Sequence, residues 1–426
     1  MASRTTAPRL YSIPPGVPWL ATFAQAFLNG EIVPGFGAHV GPLRLAGATI
    51  YVPTRRAARA LALEFSRLTA KPVTLLPRIV PLGQIDAIET SLMFEEAKSA
   101  SALGDLPEAI GEMQRRLDLA RLILTWATSL RDAERDGAGA APLIAPGPAH
   151  AWRLAGDLAG LMDEMTIEGV DWTKLETIAP KEFDRYWELT LKFLRIATTH
   201  WPQHLREIAR MDRAERQIRL IDGEIARLAA RADEPVVAIG STGTNSSTAR
   251  LLAALARAPM GAVVLPGLDT WLDDETWALL PGDPARRMEA SAGHPQMTLH
   301  KLLETIGATR DDVIEIGAPD AALQARRRLL SEALRPADTT DAWRTFHERM
   351  TPGGVPLALE GVTLIEAADD REEALAIALL MREALETPGK TAALITPDRA
   401  LAARVRAELA RWDIHVDDSG GERLGA

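Results

Sequence analysis

Two kinds of hydrophobic pattern divide the chain. One is the short uninterrupted apolar run of a buried strand; the other is the three- and four-residue spacing of an amphipathic helix. Leu10-Tyr11-Ser12-Ile13 is a run of the first kind, followed by the breaker cluster Pro14-Pro15-Gly16-Val17-Pro18. Trp19, Phe23, Ala26 and Phe27 then fall on one helical face, and Asn29-Gly30 stops that helix. Ala48 to Val52 is a second strand run, leading through Pro53-Thr54 into a helix from about Arg55 to Leu68 with Thr54 placed to cap it. A third strand is expected over Val73 to Leu76. Successive strand–helix units of this length predict a parallel α/β sheet.

From residue 85 to about 231 the spacing turns helical. Amphipathic stretches run over Glu108–Arg131, Ala151–Met165 and Phe183–Ile196, with breakers at Gly137–Pro148 and Ile178–Pro180. The strand pattern resumes at Val236–Gly240, followed by the turn Ser241–Ser247, a helix over Thr248–Arg257 and a strand over Ala262–Pro266. A variable stretch runs to about residue 355. Then come a strand at Val362–Glu366, a helix at Asp370–Leu385, a strand at Thr391–Thr396, a helix at Arg399–Trp412 and a last run at Ile414–Val416. The expected organisation is one α/β domain from residues 1–84 plus about 232–355, a helical insertion over about 85–231, and from about 356 the start of a second α/β domain that the chain leaves incomplete. That last feature reads as a piece of something longer.

Composition narrows the function. Of 426 residues none is cysteine, which removes thiol nucleophiles, disulfides and cysteine-ligated zinc or iron–sulfur clusters from this stretch. The net charge of −10 opposes a whole-molecule grip on nucleic acid, so any such contact needs a local basic patch. No uncharged apolar run of about 18 residues is present, so no membrane span or membrane partner is expected. The start lacks a secretory h-region, and a cytoplasmic location is expected.

Candidate nucleotide chemistry fails by position. Gly389-Lys390-Thr391 resembles the end of a phosphate-binding loop, but Ala384 stands where its first glycine belongs, and the triplet ends a helix instead of opening one. The loop after the first strand is in the correct place. It lacks a lysine, and Pro14, Pro15 and Pro18 have no amide hydrogen to offer beside Gly16. The run Val236–Gly240 holds the place of a magnesium-binding strand, yet no carboxylate ends it. His200 and His204 are split by Pro202, and His294 and His300 have no companion ligands. Asp369-Asp370, Glu372-Glu373 and Asp417-Asp418 read as helix-start or loop charges. The tryptophans of the helical stretch (Trp126, Trp152, Trp172, Trp187, Trp201) read as core, with base stacking as the alternative. The segment Pro53-Thr54-Arg55-Arg56-Ala57-Ala58-Arg59 suits a phosphate backbone, with a solvated arginine face as the equal alternative.

Taken together, IYVPTRRAARALALEF, LLPRIVPLGQID, VVAIGSTGTNSSTARLLAALARAPMGAVVLPGLD and VTLIEAADDREEALAIALLMREAL resemble the N-terminal part of the AddB subunit of the bacterial AddAB helicase–nuclease, in its alphaproteobacterial form. The resemblance covers essentially the whole chain and rests on the ensemble of segments. It implies a superfamily-1-helicase-like, P-loop-NTPase-like but degenerate fold that does not drive unwinding. It also implies an AddA-type motor subunit as partner, and a scaffold that scans single-stranded DNA for a recombination hotspot. Pro53-Thr54-Arg55-Arg56 matches a helicase single-strand contact motif, and the expected DNA-binding residues are Thr54, Arg55, Arg56, Arg59 and Arg78. Arg78 is placed in a loop beyond the third strand, on the same edge as Thr54. The family's nuclease, with its iron–sulfur cluster and magnesium, belongs to a C-terminal region absent here, so no cofactor and no catalytic site is expected in this stretch. Two rivals remain: an active ATP-dependent helicase subunit, and a protein-interaction scaffold without DNA contact.

Overall fold

The computed structural model describes residues 7–69, 75–82, 106–135, 145–172, 174, 184–230, 232–283, 289–350 and 353–421. The chain divides into two compact units, Met1–Ala358 and Leu359–Ala426.

The first unit is built on a six-stranded sheet. Its strands are β1 (Leu10–Ile13), β2 (Thr49–Val52), β3 (Arg78–Pro81), β6 (Val236–Ile239), β7 (Gly261–Pro266) and β8 (Val313–Glu315), while β4 (Glu108–Ala109) and β5 (Arg210–Met211) form a separate two-stranded ribbon. The order across the sheet is β3-β2-β6-β7-β1-β8, and every pair is parallel. Thr49 lies opposite Arg78 on one side and Val236 on the other, and Leu10 lies between Val263 and Val313. Ile50, Val52, Val237 and Ile239 share this sheet, as the apolar runs predict.

Parallel strands carry helices on both faces, which is why the inner strands are apolar without interruption. Alternate side chains enter opposite layers. Ile13, Ile50, Val52, Val237 and Val264 pack under the helices Trp19–Asn29 and Arg55–Thr69, where Phe27 stacks with Phe23, Phe36 and Phe65 at ring separations of 5.8, 5.8 and 5.9 Å. Leu10, Tyr51, Ala238, Val263 and Leu265 face the other layer, with the helices Arg213–Ala230, Ser246–Arg257 and Met297–Ile306. On that side the Tyr51 hydroxyl donates to Glu224 Oε1 at 2.6 Å, and Arg227 clasps the same carboxylate.

The predicted third strand is displaced. Leu75–Pro77 is irregular and the ladder begins at Arg78, while Val73 and Thr74 lie outside the described residues. The strand that forms is the proline-flanked run Arg78–Pro81, tolerable because β3 is an edge strand whose outer side needs no donors. The helical segment comprises Glu112–Arg135, Pro148–Glu168, Asp184–Arg195, a π-helical turn at Ile196–His200, Trp201–Glu207 and Arg213–Ala230. Trp201 is fully buried there, its indole Nε1 donating to Asp212 at 2.7 Å. His204 contacts Asp118 at 3.1 Å, and among the described residues no group of metal-ligating side chains forms.

In the second unit, the helices Asp370–Leu385 and Arg399–Ala410 pack through Ala374, Ala378, Leu401, Val405 and Leu409. Asp369 and Asp398 cap them, each accepting from two backbone amides. The expected strands at Val362–Glu366, Thr391–Thr396 and Ile414–Val416 carry no regular structure and no ladder among the described residues. An apolar run marks a strand only where a neighbouring backbone offers the other half of each hydrogen bond. Gly389 has φ +80 beyond a helix end, and Lys390 opens no helix. Among the described residues no helix is long and apolar enough to cross a membrane.

Candidate nucleic-acid interface

In an open parallel sheet, ligands meet the carboxyl ends of the strands where neighbouring connections diverge. Here β2 leads outward to β3, and its neighbour β6 leads the opposite way to β7. The helix after β2 lies on one face and the helix after β6 on the other. The loops at this divergence are Pro53-Thr54 and Gly240–Asn245.

Three loops converge there. Gly240 has φ +69, and a Cβ on it would stand 3.3 Å from the Trp19 indole and 3.4 Å from the Pro53 ring. Trp19 Nε1 is buried with no hydrogen-bond partner. The turn after β6 exposes hydroxyls, with Thr242 and Thr244 3.0 Å apart, and Asn245 caps the following helix by accepting from the Thr248 amide at 2.9 Å. Residues 240–246 contain no carboxylate.

Thr54 accepts from the Ala57 amide at 3.1 Å, the cap its position predicts. Arg55, Arg56 and Arg59 are exposed on the first turns of the helix, which carries no acidic residue in its first turn. Leu61 and Phe65 bury the opposite face, so the arginines are held outward by the packing behind them. Arg55 and Arg59 form no hydrogen bond or ion pair among the described residues. Three guanidinium groups and the positive end of the helix dipole thus point from one corner of the sheet.

Arg78 does not join them. It opens β3 opposite Thr49, its amide donating to the Ala48 carbonyl at 2.8 Å, and it is half-buried. Thr54 follows the carboxyl end of β2, whereas Arg78 stands level with its amino end. The expectation of one shared edge fails because the strand starts at Arg78 instead of ending before it.

The loop after β1 is contacted from two sides. Pro14 is buried, and Pro15, Gly16 and Pro18 are exposed. The Gly267 amide donates to the Ile13 carbonyl at 3.1 Å and the Leu268 amide to the Ser12 hydroxyl at 3.1 Å, tying β1 to the loop after β7. From the other side the helix Ala321–Ala333 closes over the loop. A Cβ on Gly16, which has φ +88, would stand 2.5 Å from a Leu323 methyl. A cavity of about 280 Å³ remains between Gly16, Leu268, Trp271, His294 and Leu323. Its two arginines are engaged elsewhere: Arg326 donates to the Ala358 carbonyl at 2.8 Å, and Arg327 pairs with Glu315. Burial holds His294 below the usual histidine range. The chain pattern missed this closure, the Trp19 contact and β8; only the glycines after β1 and β6 signal that backbones approach closely there.

The chain is an α/β protein with a parallel six-stranded sheet and flanking helices. No protein-family model matches it, and a comparison with curated proteins finds no match.

Proposed function

We propose that the chain is a non-motor, helicase-like part of a double-strand break repair helicase–nuclease subunit, which scaffolds an AddA-type motor and contacts single-stranded DNA through Thr54, Arg55, Arg56 and Arg59. The observation that carries the reading is the combination of an outward arginine corner at the diverging strand ends with a β1 loop closed by Leu323. The first offers charge to a phosphate backbone. The second gives a nucleoside triphosphate no lysine, puts prolines at three of the loop positions and sets a Leu323 methyl against Gly16.

Two measurements test it. Titration of the protein with Mg-ATP should give no saturable heat; micromolar binding revives the active ATPase. Fluorescence anisotropy with single-stranded DNA should show weak, salt-sensitive binding; none at low salt leaves the scaffold without DNA contact.

A further inference from the structure

The helical segment holds a second, larger cavity, of about 680 Å³, on a part of the molecule that the DNA reading does not use. Its walls follow from the short ribbon. β4 and β5 are parallel neighbours, Glu108 opposite Arg210 and Ala109 opposite Met211. Each is followed within three residues by a long helix, Glu112–Arg135 and Arg213–Ala230. Two strand ends and two helix amino-termini therefore open on the same space.

Four arginines line it, in a protein of net charge −10. Arg115 is 8% exposed and bridges Asp163 and Asp212, at 2.8 Å each. Burial raises the Asp212 carboxyl above its usual range. Arg116 and Arg216 differ from Arg115 in that backbone carbonyls accept from their Nε atoms, although the Arg216 charge also acts on Glu108. Arg116 Nε donates to the Trp152 carbonyl at 3.1 Å, with its guanidinium 4.4 Å above the Trp152 ring; Arg216 Nε donates to the Pro107 carbonyl at 3.3 Å. Carbonyl anchors fix direction without cancelling charge. Arg213 adds a fourth cation at the rim, and Glu112 and Asp163 are the acidic groups of the lining. On the facing helix Gly156 makes room for the Arg116 guanidinium, which a Cβ there would meet at 2.9 Å, while Gly160 leaves the space beside it open.

We propose that this cavity binds a phosphate-bearing ligand of nucleotide size. Guanidinium forks match phosphate oxygens in pairs, and helix amino-termini add amides and dipole. The volume lies in the range of small-ligand sites, above what a lone ion needs. The inference stands apart from the DNA reading, since none of its residues belongs to the Thr54 corner.

The test is calorimetric titration of the whole chain with inorganic pyrophosphate in low-salt chloride buffer, repeated with thymidine monophosphate and an oligothymidylate. Two variants accompany it. Arg116→Gln with Arg216→Gln removes two guanidinium charges from the lining while keeping side-chain donors. Gly160→Leu fills the space, because a Cβ there meets nothing within 4 Å. Leucine also favours the helix over glycine, so that variant keeps its fold, as an unchanged or raised Tm will show. The expected result is saturable pyrophosphate binding, weakened about tenfold or more in both variants, by loss of charged hydrogen bonds in the arginine pair and by filling of the space in Gly160→Leu. Weakening that extends to the oligothymidylate assigns the phosphate to a strand; weakening confined to pyrophosphate and the mononucleotide assigns it to a free ligand. Absence of saturable heat with pyrophosphate in the parent protein, or parent-like affinity in folded Gly160→Leu, overturns the proposal.

Discussion

Replacing Tyr51 by Phe probes how the sheet holds the helix Arg213–Ala230. Tyr51 and Glu224 are 6% and 4% exposed, and Arg227 donates to the same carboxylate through Nε at 2.7 Å. Burial and the neighbouring Glu224 charge push the phenol well above its usual range, so it is a donor throughout the accessible pH range. Tyr51→Phe removes one hydrogen bond to a charged acceptor, a loss of about 1.5–3 kcal/mol. Glu224→Ala leaves the phenol without an acceptor and the Arg227 guanidinium with only the longer contact to Glu234 at 3.4 Å, a loss of up to about 3–5 kcal/mol. Urea denaturation followed by tryptophan fluorescence reads both. With a slope of about 3 kcal/mol/M, a 2 kcal/mol loss lowers the midpoint by roughly 0.7 M. A double-mutant cycle between Tyr51→Phe and Glu224→Gln should return a coupling clearly above zero. If Tyr51→Phe leaves both midpoint and slope unchanged, or Glu224→Ala costs no more than Tyr51→Phe, the cluster does not hold the helix to the sheet.

Other outcomes follow from the same geometry. Arg55→Ala with Arg56→Ala should weaken single-stranded DNA binding on all sequences alike and flatten the salt dependence by about 0.7 for each phosphate no longer neutralised, measured by anisotropy; parent-like binding at low salt makes the corner a solvated helix face. Arg78→Ala, at the opposite strand end, should leave DNA affinity within about twofold, close to the scatter of a surface substitution, and a larger drop would return Arg78 to the interface. Burial holds His294 and His300 below the usual histidine range, so the unfolded chain takes up protons first. Stability should be full above about pH 7 and fall as pH drops below about 6.5, and His294→Gln with His300→Gln should flatten the urea midpoint across that window. The Arg399 guanidinium holds the Asp418 carboxyl down to about 2. In a carbon-detected NMR titration that midpoint should rise toward the free-aspartate value in Arg399→Gln, and an unmoved midpoint would exclude the pair as its cause.

The central strands were legible because burial on both faces leaves nothing polar to mislead. Residues 10–13, 49–52, 236–239 and 261–266 are almost wholly buried, and their runs are apolar nearly end to end. The edges were not. β3 is bracketed by prolines, and β8 has three residues with Ile314 and Glu315 exposed, so neither carries the buried-strand signature. The Thr54 cap and the Arg55–Arg56 corner could be read from local chemistry alone. Leu323 over Gly16, and Arg116 beside Arg216, join segments far apart in sequence, and spacing says nothing about such meetings. In the second unit the runs were read correctly as apolar, but Leu364 and Ile395 stand 83% and 93% exposed because no ladder forms beside them.

The sheet order has a consequence for synthesis. β1 emerges first from the ribosome, yet both of its neighbours, β7 and β8, are encoded near the far end of the unit. Val263, the partner of Leu10, is made roughly 250 residues later, which at about 5–20 residues per second is a wait on the order of 10–50 s. β2 and β3 can pair with each other long before then. Throughout that interval the nascent chain displays an unpaired apolar strand and the phenylalanine face of its following helix, the sort of surface that chaperones grasp. Moving residues 7–47 to follow β8 by circular permutation would shorten that exposure while leaving every strand of the finished sheet beside the same neighbours.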